Sequence, residues 1–189
     1  MKNNPLPKII FITDEKRLKD PIPIVRLLPG GSAIIFRHYH DPDRNEMAKS
    51  LIKETRGRHI KVLIASDVRL ALKVGAHGVH IPESMAKNST RVWQRWFKPN
   101  WLITASAHSP KALFRARQLG ADAALLSPVF STISHPDSKP IGIIRFSSWS
   151  RKSNLAIFAL GGVTHNNIQR LKNSKIQGLA GISTFISKY

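Results

Sequence analysis

Cysteine is missing from all 189 residues. Its absence excludes disulfides, a thiolate nucleophile and cysteine-ligated zinc, and it fits a cytoplasmic protein. No apolar run approaches the roughly 20 residues that a membrane-spanning helix needs, so no membrane partner is expected. The stretch Met1-Lys2-Asn3-Asn4-Pro5 lacks the apolar segment and cleavage site of a secretory signal. Carboxylates are scarce, with eleven Asp and Glu against thirty Lys and Arg, a formal charge of +19. Such a field favours anions: phosphorylated metabolites, nucleic acid or acidic surfaces. The basic residues are spread, however. There is no run of five, no zinc finger and no RNP-like motif, so no specific nucleic-acid partner is expected.

What is present is a repeating pattern. Hydrophobic residues make up 42% of the chain, enough for one domain with a sizeable core, read here as residues 1–189. Eight short, mainly apolar runs have the length and flanks of buried strands: Ile9–Asp14, Ala33–Arg37, Lys61–Ala65, Gly78–Ile81, Trp101–Ala105, Ala123–Leu126, Leu155–Leu160 and Ile176–Ile182. They are apolar on both faces rather than alternating, which indicates a parallel sheet covered on both faces. Helical patterns lie between them, over Ile22–Leu28, Asp43–Arg56, Ser89–Phe97, Ile143–Arg151 and Asn166–Lys172. Asp67 and Ser109-Pro110 mark two further helix starts. Val74-Gly75-Ala76-His77-Gly78-Val79 weakly echoes Leu119-Gly120-Ala121-Asp122-Ala123-Ala124, a helix ending at glycine with a strand immediately after. Eight such units predict a compact (β/α)8 TIM barrel. An open doubly wound sheet is the alternative, but no Gly-x-Gly-x-x-Gly turn follows the first strand.

In such a barrel ligands lie at the C-terminal ends of the strands. The residues falling there include Thr13, Asp14, Arg37, His38, Asp67, His80, Ser106, His108 and the polar loop Ser127–His135. Gly161-Gly162 follows the seventh strand, and Ile182-Ser183 ends the eighth. Glycine lets backbone amides approach an anion, so Gly161, Gly162 and Ser183 predict a phosphate site; a plain tight turn is the competing reading. Arg37 suits a bidentate phosphate clamp or an ion pair. His135 suits an acid/base or phosphate-donor role, or is simply solvated. The histidines lack zinc-ligand spacing on one helix. Asp67 is a weak Mg²⁺ candidate that helix capping explains equally well.

Taken together, several segments resemble the thiamine-phosphate synthase family and its TenI-type relatives over nearly the whole chain. Ile10-Phe11-Ile12-Thr13-Asp14 looks like the family's opening strand, and Leu70 to His80 is close to its third-helix segment. Ser127-Pro128-Val129-Phe130-Ser131-Thr132 resembles the Gly-Pro-Val-Phe-Pro-Thr loop. Ala159-Leu160-Gly161-Gly162-Val163-Thr164 resembles Ala-Ile-Gly-Gly-Ile-Thr.

The resemblance implies a (β/α)8 barrel of thiamine metabolism. The family's synthases join an aminopyrimidine diphosphate to a thiazole phosphate and release pyrophosphate with Mg²⁺. By position it carries over a thiazole-phosphate side made of Gly161, Gly162, Ile182, Ser183, Ser106 and Thr132, with Ser134 standing for a threonine. The diphosphate side departs from the pattern. Gln-x-Arg-x-Lys becomes Ile35, Arg37 and Tyr39, and Asn-Asp becomes Ala65-Ser66. The second metal aspartate falls at Met85, and a loop lysine at His135. The catalytic histidine of TenI-type tautomerases falls at Pro128, leaving His135 as the tentative catalytic group. No metal is expected beyond the weak candidates Asp67 and Glu83, and Mg²⁺ only if synthase activity is retained. The expected partner is a small phosphorylated metabolite, with a possible homo-oligomer.

Overall fold

Eight parallel strands close into a barrel in strict chain order in the computed structural model, which describes residues 5–86, 98–132 and 139–182. They are β1 Ile9–Ile12, β2 Ala33–Phe36, β3 Lys61–Ala65, β4 Gly78–Ile81, β5 Leu102–Ala107, β6 Ala123–Leu126, β7 Ala156–Ala159 and β8 Gly178–Gly181. β1 pairs with both β2 and β8, so the sheet has no edge and the open doubly wound alternative is excluded.

The strands are apolar on both faces because each face packs a different core. Ile10, Ile12, Ala33, Ile35, Leu63, Ala65, Leu125 and Phe158 fill the interior. Phe11, Ile34, Phe36, Val62, Ile64 and Ile103 pack outward against the helices. This alternation at period two decides which residue at each strand end faces the mouth.

The helices are short, as the chain length requires. α1 spans Ile22–Leu27, α2 Arg44–Thr55, α3 Val68–Lys73, α4 Glu83–Ala86, α5 Pro110–Gln118 and α6 Ile143–Lys152. The predicted caps form: Asp67 accepts from Leu70 N, and Ser109 accepts from Ala112 N ahead of Pro110. α4 is an element that the apolar pattern did not reveal. The helix expected over Asn166–Lys172 is instead a 3-10 turn at Ile168–Leu171. Asn167 explains the difference, because its side chain accepts from Thr164 N and donates to Gly162 O, competing with a regular first turn. The segment Ser89–Phe97 lies outside the described residues.

The internal echo is a repeated construction. α3 ends with Ala76 N donating to Ala71 O, and α5 with Ala121 N donating to Ala116 O. The next residue then joins the neighbouring strand twice. His77 N donates to Val62 O while its Nδ1 accepts from Val62 N; Asp122 N donates to Ile103 O while its Oδ2 accepts from Ile103 N. Two different side chains do the same job at the base of the barrel. Among the described residues, no helix is long and apolar enough to cross a membrane.

Candidate functional site at the strand C-termini

The inward positions of each strand lead to the mouth. On β2 the inward series Ala33, Ile35 continues to Arg37. The end of that strand is tied to β1, because Thr13 donates its N–H to Ile35 O and its buried Oγ1 accepts from Arg37 N. The Arg37 side chain is thereby launched from a rigid base.

His80, the last inward residue of β4, is buried inside the barrel rather than exposed at its rim. Its Nδ1 lies 2.9 Å from Thr104 Oγ1 and its Nε2 lies 2.9 Å from Ser106 Oγ. Burial, assisted by the charge of Arg37, pushes its pKa down to about 3. A neutral imidazole fits two hydroxyl neighbours, since one ring nitrogen donates and the other accepts. Ser106, half-buried at the end of β5, therefore has an oriented hydroxyl.

The loop after β6 is clamped onto the loop after β7. Val129 N donates to Leu160 O and Phe130 N donates to Gly161 O. Gly161 and Gly162 have φ of 91° and 66°. A side chain at Gly161 would begin 2.7 Å from the Pro128 Cα, and one at Gly162 would fall onto Ser131 O. Both glycines are thus required by the close approach of two backbones, as well as by backbone conformation. With their carbonyls turned into the loop contacts, the N–H groups of Gly161 and Gly162 donate to nothing among the described residues. Ile182 is half-buried against the interior cluster, and Thr132 is half-buried. Ser134, His135 and Ser183 lie outside the described residues.

His108 sits on the other side of the same loop. Its Nδ1 lies 2.7 Å from Ser127 O, which fixes the proton on that nitrogen, and its backbone N–H donates to Glu83 Oε2.

The ends of β2 and β3 carry a different chemistry. Arg44, the first residue of α2, reaches back over the barrel rim. It donates from Nη2 to Ala65 O at 2.9 Å and from Nη1 to Asp67 Oδ2 at 3.3 Å. Its guanidinium lies 5.8 Å from the Phe36 ring centre and 5.6 Å from that of Tyr39. Arg37 approaches the same Tyr39 ring at 5.8 Å. Ser66 adopts a left-handed backbone, φ 65°, and donates its N–H to His80 O. His38 is fully buried against Phe36 with Asp41 Oδ2 3.5 Å from its Nδ1.

These residues do not fit a Mg²⁺ site. Both Asp67 oxygens are engaged, one by the α3 cap and one by Arg44, and Glu83 Oε2 accepts from His108 N. Ala65 offers only a carbonyl that Arg44 already occupies. Among the described residues, no three His, Cys, Asp or Glu converge to hold a metal ion. Arg44 and Thr104 were not anticipated from the sequence. Arg44 belongs to no motif, and only the packing of α2 on the β2–β3 ends brings it to the mouth.

The closed eight-stranded parallel barrel, with a paired glycine turn after its seventh strand, defines a compact (β/α)8 barrel. Residues 9–185 match the family model described as thiamine monophosphate synthase, and the chain belongs to that family. It is 34% identical over 187 residues to a protein of Aquifex aeolicus provisionally named thiamine-phosphate synthase 2, covering 96% of this chain and 98% of that one. Against the thiamine-phosphate synthase of Pyrococcus furiosus it is 30% identical over 181 residues, covering 93% and 85%. A solved structure of thiamine phosphate pyrophosphorylase from the same organism superimposes with a TM-score of 0.75 at 28% identity, covering 93% of this chain and 85% of that one.

Proposed function

We propose that this barrel serves thiamine metabolism by binding a phosphorylated thiazole-like ligand, with its phosphoryl group on the turn Gly161-Gly162 and on Ser183. The observation that carries the reading is the pair of successive amides at Gly161 and Gly162, which donate to nothing among the described residues. Their conformation is locked by the adjacent loop, so the donors are preorganised and their ordering cost is already met in the fold. Backbone N–H groups gathered at the end of a barrel strand are a recurrent phosphate cradle. Ser106, oriented by His80, and Ile182 line the ring side of the pocket in this reading, with Thr132 and Ser134 as hydroxyl donors and His135 as the acid/base group. The Mg²⁺-diphosphate half of a synthase site is degenerate, because Asp67 is consumed by Arg44 and by its helix cap.

Calorimetric titration with thiazole phosphate, in parallel with unphosphorylated thiazole, tests the proposal. Saturable binding that requires the phosphoryl group is expected. Equal binding of both compounds, or of neither, would overturn it.

A second reading, an active thiamine-phosphate synthase, is favoured by the nearly full-length similarity to proteins carrying that name. Turnover of aminopyrimidine diphosphate and thiazole phosphate with Mg²⁺, followed as pyrophosphate release, separates the two.

A further inference from the structure

The ring of helices around the barrel has a gap. α1 and α2 pack directly on each other, whereas α5 and α6, also neighbours in the ring, scarcely touch. α6 leans the other way. Its Ser147 Oγ lies 2.6 Å from Ser174 Oγ, and Arg151 donates to Asn173 O, both on the segment ahead of β8. The gap left beside α5 is a groove of about 350 Å³ on the outer face of the barrel, a volume that suits a small molecule. None of the mouth residues lines it.

Leu113 and Leu155 form its buried floor. Each helix adds one aromatic wall, Phe114 from α5 and Trp149 from α6. Phe114 is 59% exposed, a costly position for so large an apolar ring. Arg117 and Lys152 line the groove from the last turns of the two helices. A helix C-terminus favours cations on its own account, which covers Arg115 and Arg151 equally, yet those two do not line the groove. Among the described residues no carboxylate lines it, and neither Arg117 nor Lys152 has an ion pair.

We infer that this groove binds an aromatic anion, a flat ring system bearing one carboxylate or sulfonate. The ring lies between Phe114 and Trp149, and the acid group meets Arg117 and Lys152. Charge complementarity selects this occupant. Two unpaired cations beside an apolar cleft repel a cation, whereas an acid gains charge-assisted hydrogen bonds from both. A flat ring can stack on, or meet edge-on, the two aromatic walls. A second copy of the chain fits poorly, because it would bring a further +19 to a groove whose lining charges are both positive. The groove is separate from the Gly161-Gly162 cradle, so its occupancy does not depend on what the mouth holds.

Anilinonaphthalene sulfonate and its uncharged counterpart, phenylnaphthylamine, are the probes. Each is titrated by fluorescence into the whole protein at physiological salt, where distant charges are screened. The sulfonate should saturate one site about tenfold more tightly than the amine, the sum of two surface pairings worth roughly threefold each. Arg117→Met and Lys152→Met should each weaken the sulfonate about threefold and leave the amine unchanged. Phe114→Ser alters an exposed position, keeps the fold by circular dichroism, and should weaken both probes at least about fivefold. Lys73→Met, at the end of α3, removes a charge elsewhere and should change affinity less than about twofold. Excess thiazole phosphate should displace neither probe.

Equal affinity for the two probes would overturn the inference. Equal losses in Arg117→Met and Lys73→Met would do the same, since they would assign the binding to the general field of the chain. Displacement by thiazole phosphate would move the probe to the mouth and sink the proposal, as would unchanged affinity in folded Phe114→Ser. A dimer that Phe114→Ser dissociates would give the groove to a second copy instead. None of these outcomes bears on whether the cradle holds a phosphoryl group, so the two proposals fail separately.

Discussion

His80 Nε2 lies 2.9 Å from Ser106 Oγ, with the imidazole buried inside the barrel. The burial of this imidazole, with Arg37 nearby, makes folding stability depend on pH. The folded pKa of His80 is held near 3, below the ordinary value of 6.5, so the unfolded state takes up a proton that the native state refuses. The contribution is complete above pH 6.5 and is lost as pH falls from 6.5 toward 3. Between pH 7.5 and 5 the loss is about 2 kcal/mol. Burial lowers His77 too, which adds loss of the same sign. Urea unfolding at the two pH values measures the sum, and His80→Gln should flatten most of the slope. An unchanged slope in that variant would remove His80 as the cause.

Gly162 and Gly31 offer a matched pair. Both have positive φ, 66° and 80°, but a methyl at Gly162 would strike Ser131 O whereas one at Gly31 meets nothing within 4 Å. Gly31→Ala should cost about 1 kcal/mol, from backbone strain alone. Gly162→Ala should cost at least about 2 kcal/mol, since overpacking adds to strain. It should also displace the Pro128–Thr132 loop and abolish phosphate-dependent stabilisation. Thermal melts with and without inorganic phosphate give both readouts.

Asp67 performs two tasks with its two oxygens, capping α3 and pairing with Arg44. Asp67→Asn keeps a cap acceptor and loses the charge; Asp67→Ala loses both. The alanine variant should be less stable than the asparagine variant by about 1 kcal/mol, the usual worth of a cap. Equal stabilities would mean that the cap contributes little.

His38 is the opposite case, a polar ring that stability would rather lose. It is 0% exposed, and neither ring nitrogen has a hydrogen-bond partner among the described residues. Replacing an unsatisfied buried group by an apolar one of similar size removes a desolvation penalty. His38→Leu should therefore stabilise the protein by about 1 kcal/mol, read as a higher urea midpoint at unchanged m-value. A destabilised variant would show that the 3.5 Å contact between His38 Nδ1 and Asp41 Oδ2 outweighs the desolvation penalty.

The eight strands are legible in the sequence because each is buried on both faces, and burial leaves a run of apolar residues that no surface element mimics. Ser109-Pro110 and Asp67 are legible because capping is local. Asn166–Lys172 misleads for the converse reason: its apolar spacing is helical, but one side chain, Asn167, satisfies backbone groups that a helix would need. The glycine turn is visible as a motif, whereas the reason for its glycines, a second loop passing within contact, exists only in three dimensions. His80 reads as a mouth residue, and only closure of the barrel places it inside. Arg44 has no sequence signature, since its neighbours Phe36, Tyr39 and Ala65 come from two other elements.

Strand β1 bonds to β8, some 170 residues further along the chain. During synthesis the first strand must therefore wait, half of its hydrogen-bonding groups unmatched, until translation has nearly reached the eighth. In that interval a flat, oily ribbon with two open sides is available to other nascent chains. A barrel without seams when finished is thus most vulnerable to clumping on the ribosome, where a chaperone that shields the leading strand would matter most.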